Sequence, residues 1–281
     1  MKHKDEISAG QRFAFGENWI RFLSVLDENR IEAAEQSLRN MLGVETLAGK
    51  RFLDVGSGSG LFSLAARRLG AKVHSFDFDP ASVACTTELK RRYFPDDPDW
   101  MVEEGSVLDL AYLKKLGTFD IVYSWGVLHH TGAMWQALNN VLPLVNECGS
   151  VNIAIYNDQG GWSRRWKWIK QTYNWLPSWL RLPYSILVML PRELRSFLAY
   201  AASGRFMSYF TDKRAYSKLS QRGMNWWHDQ IDWIGGYPFE VAKPEEIFNY
   251  FKNNGFDLAQ LKTCGGGLGC NEFVFNKRFE K

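Results

Sequence analysis

Three glycines at alternate positions, in Leu53-Asp54-Val55-Gly56-Ser57-Gly58-Ser59-Gly60, join an apolar strand directly to an amphipathic helix. No other feature constrains the fold of this chain as strongly. So tight a turn leaves the first N–H groups of the helix unpaired, at the positive end of its dipole, where an anionic or polar ligand is stabilised. Without a Cβ at Gly58, such a ligand can approach the backbone itself. A pyrophosphate or an amino-acid carboxylate would both suit. A dinucleotide fingerprint, G-x-G-x-x-G/A, requires a small residue at position 61, where this chain has Leu61.

From Arg51 onward, short apolar strands alternate with amphipathic helices. Strands are predicted at 51–55, 72–78, 100–102, 119–125 and 150–156, and helices at 61–69 and after Asp79, which caps a helix opened by Pro80. This rhythm predicts a doubly wound, mostly parallel α/β sheet. Pro244 opens a further helix with Ile247, Tyr250 and Phe251 inward, and two strands near 258–263 and 272–276 form an antiparallel hairpin. Before residue 51 two helices are expected. Asn18 caps the first, which turns Ile20, Leu23 and Leu26 inward; the second buries Ile31, Ala34, Leu38 and Met41 and stops at Gly43.

The second acid, Asp77, follows Gly56 by 21 residues in Ser75-Phe76-Asp77-Phe78-Asp79-Pro80. Together the glycine turn and this acid resemble motifs I and II of the class I S-adenosylmethionine-dependent methyltransferases. Glu104-Gly105-Ser106-Val107-Leu108-Asp109 is similar to the segment that lines the adenine ring, with Ser106 in place of the frequent acid. Phe119-Asp120-Ile121-Val122-Tyr123-Ser124-Trp125-Gly126-Val127-Leu128-His129-His130 resembles the fourth-strand motif of the small-molecule, quinone-methylase-like branch. The resemblance implies a seven-stranded sheet with an antiparallel last strand and S-adenosyl-L-methionine as cofactor. It implies cofactor contacts from Asp54, Gly56, Gly58, Gly60, Asp77, Ser106, Val107 and Trp125.

A hydroxyl acceptor usually needs a base near neutral pH, and histidine is the natural candidate. His129 and His130 lie just past a strand's carboxyl end, where α/β sheets bind ligands, with His130 preferred. His228, in Trp226-Trp227-His228-Asp229, is the third candidate, read first as a hydrogen-bonded pair with Asp229. Tyr156, Asn157 and Asp229 are expected at the substrate. His74 sits mid-strand, where packing suffices. No cluster demands a metal. For Phe13 to Trp19, core packing is favoured over a lid at the methionyl end.

Between Asp158 and Tyr237 lie nearly eighty residues, where a compact α/β unit uses about 2–6. Residues 159–222 hold twelve cations against Glu193 and Asp212, a net +10 that leaves −7 on the rest of a chain totalling +3. The organisation expected is an N-terminal helical cap at 1–50, a cofactor-binding α/β domain at 51–158 and 237–281, and a basic, aromatic helical insert at 159–236. Trp162, Trp166, Ile169, Tyr173 and Leu176 follow helical spacing and read as the insert's core. Three roles compete for the insert. A cap over the substrate pocket leads; the others are peripheral contact with an anionic membrane and a grip on nucleic acid. The chain lacks [DN]-P-P-[FYW] and a cysteine in the fourth-strand motif, so no nucleic acid is expected.

No stretch reaches the roughly 20 apolar residues of a bilayer span, and the N-terminus carries no secretory signal. With Cys85, Cys148, Cys264 and Cys270 read as free thiols, the expected compartment is the cytoplasm. The function expected is O-methylation of a small molecule or of a glycan or lipid precursor. The rivals are a nucleic-acid methyltransferase and a non-catalytic cofactor-binding module.

Overall fold

The computed structural model describes residues 3–219 and 226–279. Its elements are, in order, α1 (His3–Ser8), α2 (Gly16–Val25), α3 (Glu28–Leu42), β1 (Arg51–Val55), α4 (Leu61–Arg68), β2 (Lys72–Asp77), α5 (Pro80–Tyr93), β3 (Trp100–Glu104), α6 (Leu110–Leu116), β4 (Phe119–Trp125), α7 (Met134–Val141) and β5 (Val145–Tyr156). Four helices then follow without a strand: α8 (Gly161–Trp175), α9 (Ser178–Ala202), α10 (Phe206–Leu219) and α11 (Trp226–Gly235). The chain ends with α12 (Pro244–Asn253), β6 (Phe256–Lys262) and β7 (Cys270–Lys277).

The seven strands form one sheet in the order β3-β2-β1-β4-β5-β7-β6. All pairs up to β5 are parallel, and β7 enters antiparallel between β5 and β6. Strands β1, β4 and β5 are covered on both faces, which is why they read as near-continuous apolar runs rather than as alternation. One face packs Leu113, Leu138, Ile247 and Phe251 from α6, α7 and α12; the other packs Leu38, Leu64, Ala65 and Leu89 from α3, α4 and α5.

Three local expectations need correction. Helix α2 begins at Gly16, so Asn18 lies inside its first turn and not at its cap. Strand β5 begins at Val145, with Cys148 at φ 58° and a register shift between Phe119 and Ile121. Helix α9 also runs on through Pro183 and Pro191. The helices after β5 share a thin core of Tyr173, Met189 and Ile234, with Trp166 and Ile169 packed against it. Trp162, expected in that core, is 58% exposed because α8 starts beside it.

The N-terminal segment lies across the carboxyl edge of the sheet. Asp79 Oδ1 accepts the N–H of Ala81 at 2.9 Å and so caps α5, while its Oδ2 accepts the N–H of Gly16 at 2.8 Å. Farther along, Phe13 N–H donates to the Tyr237 carbonyl at 2.8 Å, and Arg12 Nη1 donates to the His130 carbonyl at 2.9 Å. A Cβ on Gly235 would lie 2.3 Å from the Phe13 ring, so glycine there lets the segment seat against α11. Replacing Asp79 with Ala removes a cap and leaves a buried N–H unpaired. Unfolding free energy in urea should fall by about 2–4 kcal/mol, with a smaller loss for Asp79→Asn. A change under about 0.5 kcal/mol, the size of an ordinary surface substitution, would refute the anchoring role.

Candidate functional site

The turn between β1 and α4 is held from below by the second strand. Gly56 and Ser57 donate their N–H groups to the Phe76 carbonyl at 2.9 and 3.1 Å, and Gly60 donates to the Ser57 carbonyl at 2.8 Å. Gly56 sits at φ 81°, and a Cβ on it would lie 2.3 Å from Val127, so the loop after β4 packs on the turn. Gly58, at φ 54°, faces the Trp19 ring, which a Cβ would meet at 3.2 Å.

Asp77 closes the turn. Its Oδ2 accepts the N–H of Gly58 and its Oδ1 that of Asp79, each at 2.9 Å. Burial pushes its pKa up to about 6 against the pull of these two donors. Asp54 is pushed further, to about 7, by burial. It accepts from Ser63 Oγ, which lies 2.7 Å from Ser75 Oγ, and Ser75 in turn accepts from Trp100 Nε1 at 3.0 Å. Because the indole can only donate, the protons run from Trp100 through the two hydroxyls to the Asp54 carboxylate.

Ser106 and Val107 follow β3 at the same edge. Gly105 N–H donates to the Asp77 carbonyl at 3.0 Å, Ser106 Oγ accepts the Leu108 N–H at 3.2 Å, and Val107 is buried under Asn140, whose Nδ2 donates to its carbonyl at 2.9 Å. Across the edge, Trp125 ends β4, and a short helical turn carries Leu128 to His130.

His129 is fully buried, its ring centre 4.0 Å from that of Tyr156 and tilted by 37°, and its Nδ1 accepts the Tyr156 N–H at 3.3 Å. His130 lies beside it with its Nδ1 2.6 Å from the Pro238 carbonyl. A carbonyl only accepts, so the Nδ1 carries the proton and the basic lone pair is on Nε2. The Phe15 and Tyr156 rings flank His130 at 4.8 and 5.4 Å, and Trp233 and Phe239 extend this aromatic wall beyond Tyr156 at 5.6 and 5.3 Å.

The structure therefore gathers the glycine turn, Asp77, Ser106, Val107, Trp125, His129, His130 and Tyr156 on one sheet edge. Asn157 turns toward the β6–β7 hairpin instead: its Oδ1 accepts from Asn271 Nδ2 at 3.1 Å and its Nδ2 donates to the Gly267 carbonyl at 3.3 Å. Asp229 accepts the Tyr216 hydroxyl at 2.6 Å and ties α10 to α11. The His228 side chain lies outside the described residues. His74 is bonded to Glu103 at 2.8 Å. Among the described residues, no three His, Cys, Asp or Glu side chains cluster as a metal site would require, and the four cysteines form no disulfide.

Lys170 escaped the sequence reading. It is fully buried, its Nζ donates to the Trp233 carbonyl and lies 4.4 and 4.9 Å from the Trp233 and Phe239 ring centres, and burial lowers its pKa to about 7. A lysine in a basic segment reads as a solvated cation. The available signal was its place on the helical face of Trp166 and Tyr173.

Comparison with known proteins identifies the family. The sequence profile of the family described as "Methyltransferase domain" matches residues 26–182. A ribosomal protein L11 methyltransferase from Prochlorococcus marinus is 31% identical over 108 residues, 38% of this chain and 34% of that one. A tRNA U34 carboxymethyltransferase from Ectopseudomonas mendocina is 40% identical over 89 residues, 30% of this chain and 25% of that one. The chain thus spans about a third or less of these relatives' lengths. Among solved structures, a magnesium protoporphyrin IX methyltransferase from Synechocystis PCC 6803 with bound S-adenosylhomocysteine superposes with a TM-score of 0.52 at 12% identity, over 88% of this chain and 83% of that one. An O-methyltransferase family protein from Burkholderia thailandensis gives 0.52 at 12%, over 99% and 68%. At such identities these two show the shared fold.

The raised pKa of Asp77 generates a pH dependence. Its carboxylate accepts hydrogen bonds best above about pH 6, and that capacity is lost as pH falls through this value. Calorimetric affinity for S-adenosylhomocysteine should therefore drop below about pH 6. Asp77→Asn should bind about 1.5–3 kcal/mol more weakly at neutral pH, with that limb absent. Wild-type affinity in the variant at neutral pH would exclude Asp77 from the binding site.

Proposed function

The chain belongs to the methyltransferase-domain family as a class I S-adenosylmethionine-dependent enzyme, and from that premise we propose that it O-methylates a small molecule or a glycan or lipid precursor with His130 as base. The observation that carries this reading is the 2.6 Å bond from His130 Nδ1 to the Pro238 carbonyl, which leaves Nε2 as the basic nitrogen. That bond also fixes the ring's orientation, as a catalytic imidazole requires.

The residues present fit the cofactor. The glycine turn presents the N-terminus of α4 to a carboxylate, with the Trp19 ring beside Gly58 as one wall, and Asp77 is an acceptor for ribose hydroxyls at the end of the neighbouring strand. When bound, S-adenosylmethionine supplies an electrophilic methyl group on a sulfonium sulfur. In our reading Gly56, Gly58 and Gly60 shape the backbone around its methionyl end. Ser106 and Val107 line the adenine, Trp125 borders the cofactor, and Asp54 braces the turn through Ser63. Arg12 and Gly16 hold the N-terminal segment over the same edge.

On the acceptor side, the rings of Phe15, Tyr156, Trp233 and Phe239 suit a compact, partly apolar acceptor and keep water from the reacting hydroxyl. With the methyl carbon–sulfur bond breaking as the carbon–oxygen bond forms, His130 Nε2 would take the proton that the acceptor hydroxyl releases. His129 serves as the buried brace between the two histidines' turn and β5. Asn157 and Asp229 are assigned to structural ties. The helices at 159–236 cap the acceptor side, since Trp233 of α11 stands next to Tyr156, and the N-terminal helices at 1–50 cover the cofactor side of the α/β domain at 51–158 and 237–281.

His130→Ala should lower kcat by about 10²–10⁴-fold while S-adenosylhomocysteine affinity stays near wild type. The wild-type rate should rise with pH through a single histidine-type ionisation, and that limb should vanish in the variant. Retention of most of kcat by His130→Ala together with its loss in His228→Ala would move the base to the insert. Activity in both would leave catalysis to positioning and remove the preference for oxygen.

A further inference from the structure

Helix α9 carries Trp179, Leu182, Ile186, Leu190, Leu194 and Leu198 at intervals of three and four residues, and all six are exposed. With 25 residues the helix is about 37 Å long, so this stripe far exceeds the scattered single apolar residues of an ordinary surface. Trp168 and Trp175 of α8 are 76% and 81% exposed. Phe206 and Met207 are exposed at the start of α10.

Charge accompanies the apolar stripe. The only acids in these three helices are Glu193, held by Lys213 and Tyr209, and Asp212, which accepts the Tyr200 hydroxyl at 2.8 Å. Arg164, Arg165, Lys167, Arg195 and Arg214 stand exposed.

We infer that this face docks the enzyme on an anionic lipid surface, with α9 lying in the headgroup plane. Exposed tryptophans and aliphatic side chains beside arginines are the composition of an interfacial helix. Depth follows from the two prolines. Pro183 and Pro191 have no N–H, so the carbonyls of Trp179 and Leu187 lack their usual helical donor, and both need water within reach. Among the described residues no helix is long and apolar enough to cross a membrane. A second copy of the chain is disfavoured because a two-fold contact would oppose two strongly basic surfaces. Nucleic acid is disfavoured because five of the six residues in the α9 stripe are Leu or Ile, which offer no ring for base stacking. The inference does not depend on which acceptor is methylated.

The test is co-sedimentation of the full chain with vesicles of phosphatidylcholine alone and of phosphatidylcholine with phosphatidylglycerol. Binding is expected to the mixed vesicles and should weaken with added salt. The double variant Ile186→Glu/Leu190→Glu should reduce partitioning roughly tenfold or more, and Arg195→Ala roughly fivefold. Both should keep wild-type circular dichroism and S-adenosylhomocysteine affinity, because the substituted side chains face outward. Equal partitioning to both vesicle types, absence of binding, or an unaffected double variant would overturn the inference. So would a dimer in vesicle-free ultracentrifugation that the double variant abolishes, or salt-sensitive retention on RNA without vesicle binding. None of these readouts uses turnover, so their outcome is separate from that of the methyl-transfer reading.

Discussion

Two aspartates at the end of β2 hold the site in one piece. Asp77 joins the glycine turn to the start of α5 through the N–H groups of Gly58 and Asp79. Asp79 joins α5 to the N-terminal segment through Ala81 and Gly16. Three parts of the chain separated by tens of residues therefore meet on two side chains. The energetic cost is visible in Asp77, whose carboxyl is raised to about 6 by burial. A site built this way favours ligands that bring hydroxyl or N–H donors, because each added donor offsets the desolvation of a buried carboxylate. The same segment that Asp79 anchors carries Phe15 against His130, so the glycine turn and the histidine turn share one structural support.

The excursion after β5 leaves the sheet undisturbed because its two ends are stitched together. Asp158 N–H donates to the Ala242 carbonyl at 3.1 Å, and Ala242 N–H donates to the Tyr156 carbonyl at 3.0 Å. Once the ends are fixed, the loop-closure cost of a long insertion grows only slowly with length. The added helices return one ring, Trp233 of α11, to the wall beside Tyr156, and Phe239 follows from the segment that leads back to the sheet.

Much of this was legible from local chemistry. The bounds of β1 and β4, the Asp79 cap, the Gly43 stop and the antiparallel hairpin all follow from patterns within a few residues. What was not legible depended on distant partners. Asn18 is the better intrinsic cap, but Gly16 gains the Asp79 carboxylate 63 positions away, and the helix starts there. His130 could be placed at the sheet edge, yet its tautomer rests on Pro238, 108 residues along. Periodicity in α8 marked a face for Trp166 and Tyr173 but could not say that nothing would cover Trp162. The burial of Lys170 needed the carbonyl and ring of Trp233, which only the fold brings near.

The helices α8 and α9 bury more polar groups and expose more apolar ones than ordinary amphipathic helices do. Beside Tyr173 and Met189, their buried positions include Ser163, Lys170, Asn174 and Ser185, while their outer positions mix tryptophan, leucine and isoleucine with arginine and lysine. The polar interior is tolerated because it is bonded: Ser163 Oγ accepts the Gln159 N–H, Asn174 Nδ2 donates to the Lys170 and Gly235 carbonyls, Ser185 donates to the Arg181 carbonyl, and Lys170 to that of Trp233. Such bonds specify geometry but contribute only about 0.5–1.5 kcal/mol each in net stability. The larger hydrophobic contribution is available outside, from side chains that water now covers. On the docking inference, a surface that buries the outer face would stabilise α8, whose Trp166 and Lys170 pack against Trp233 of the aromatic wall.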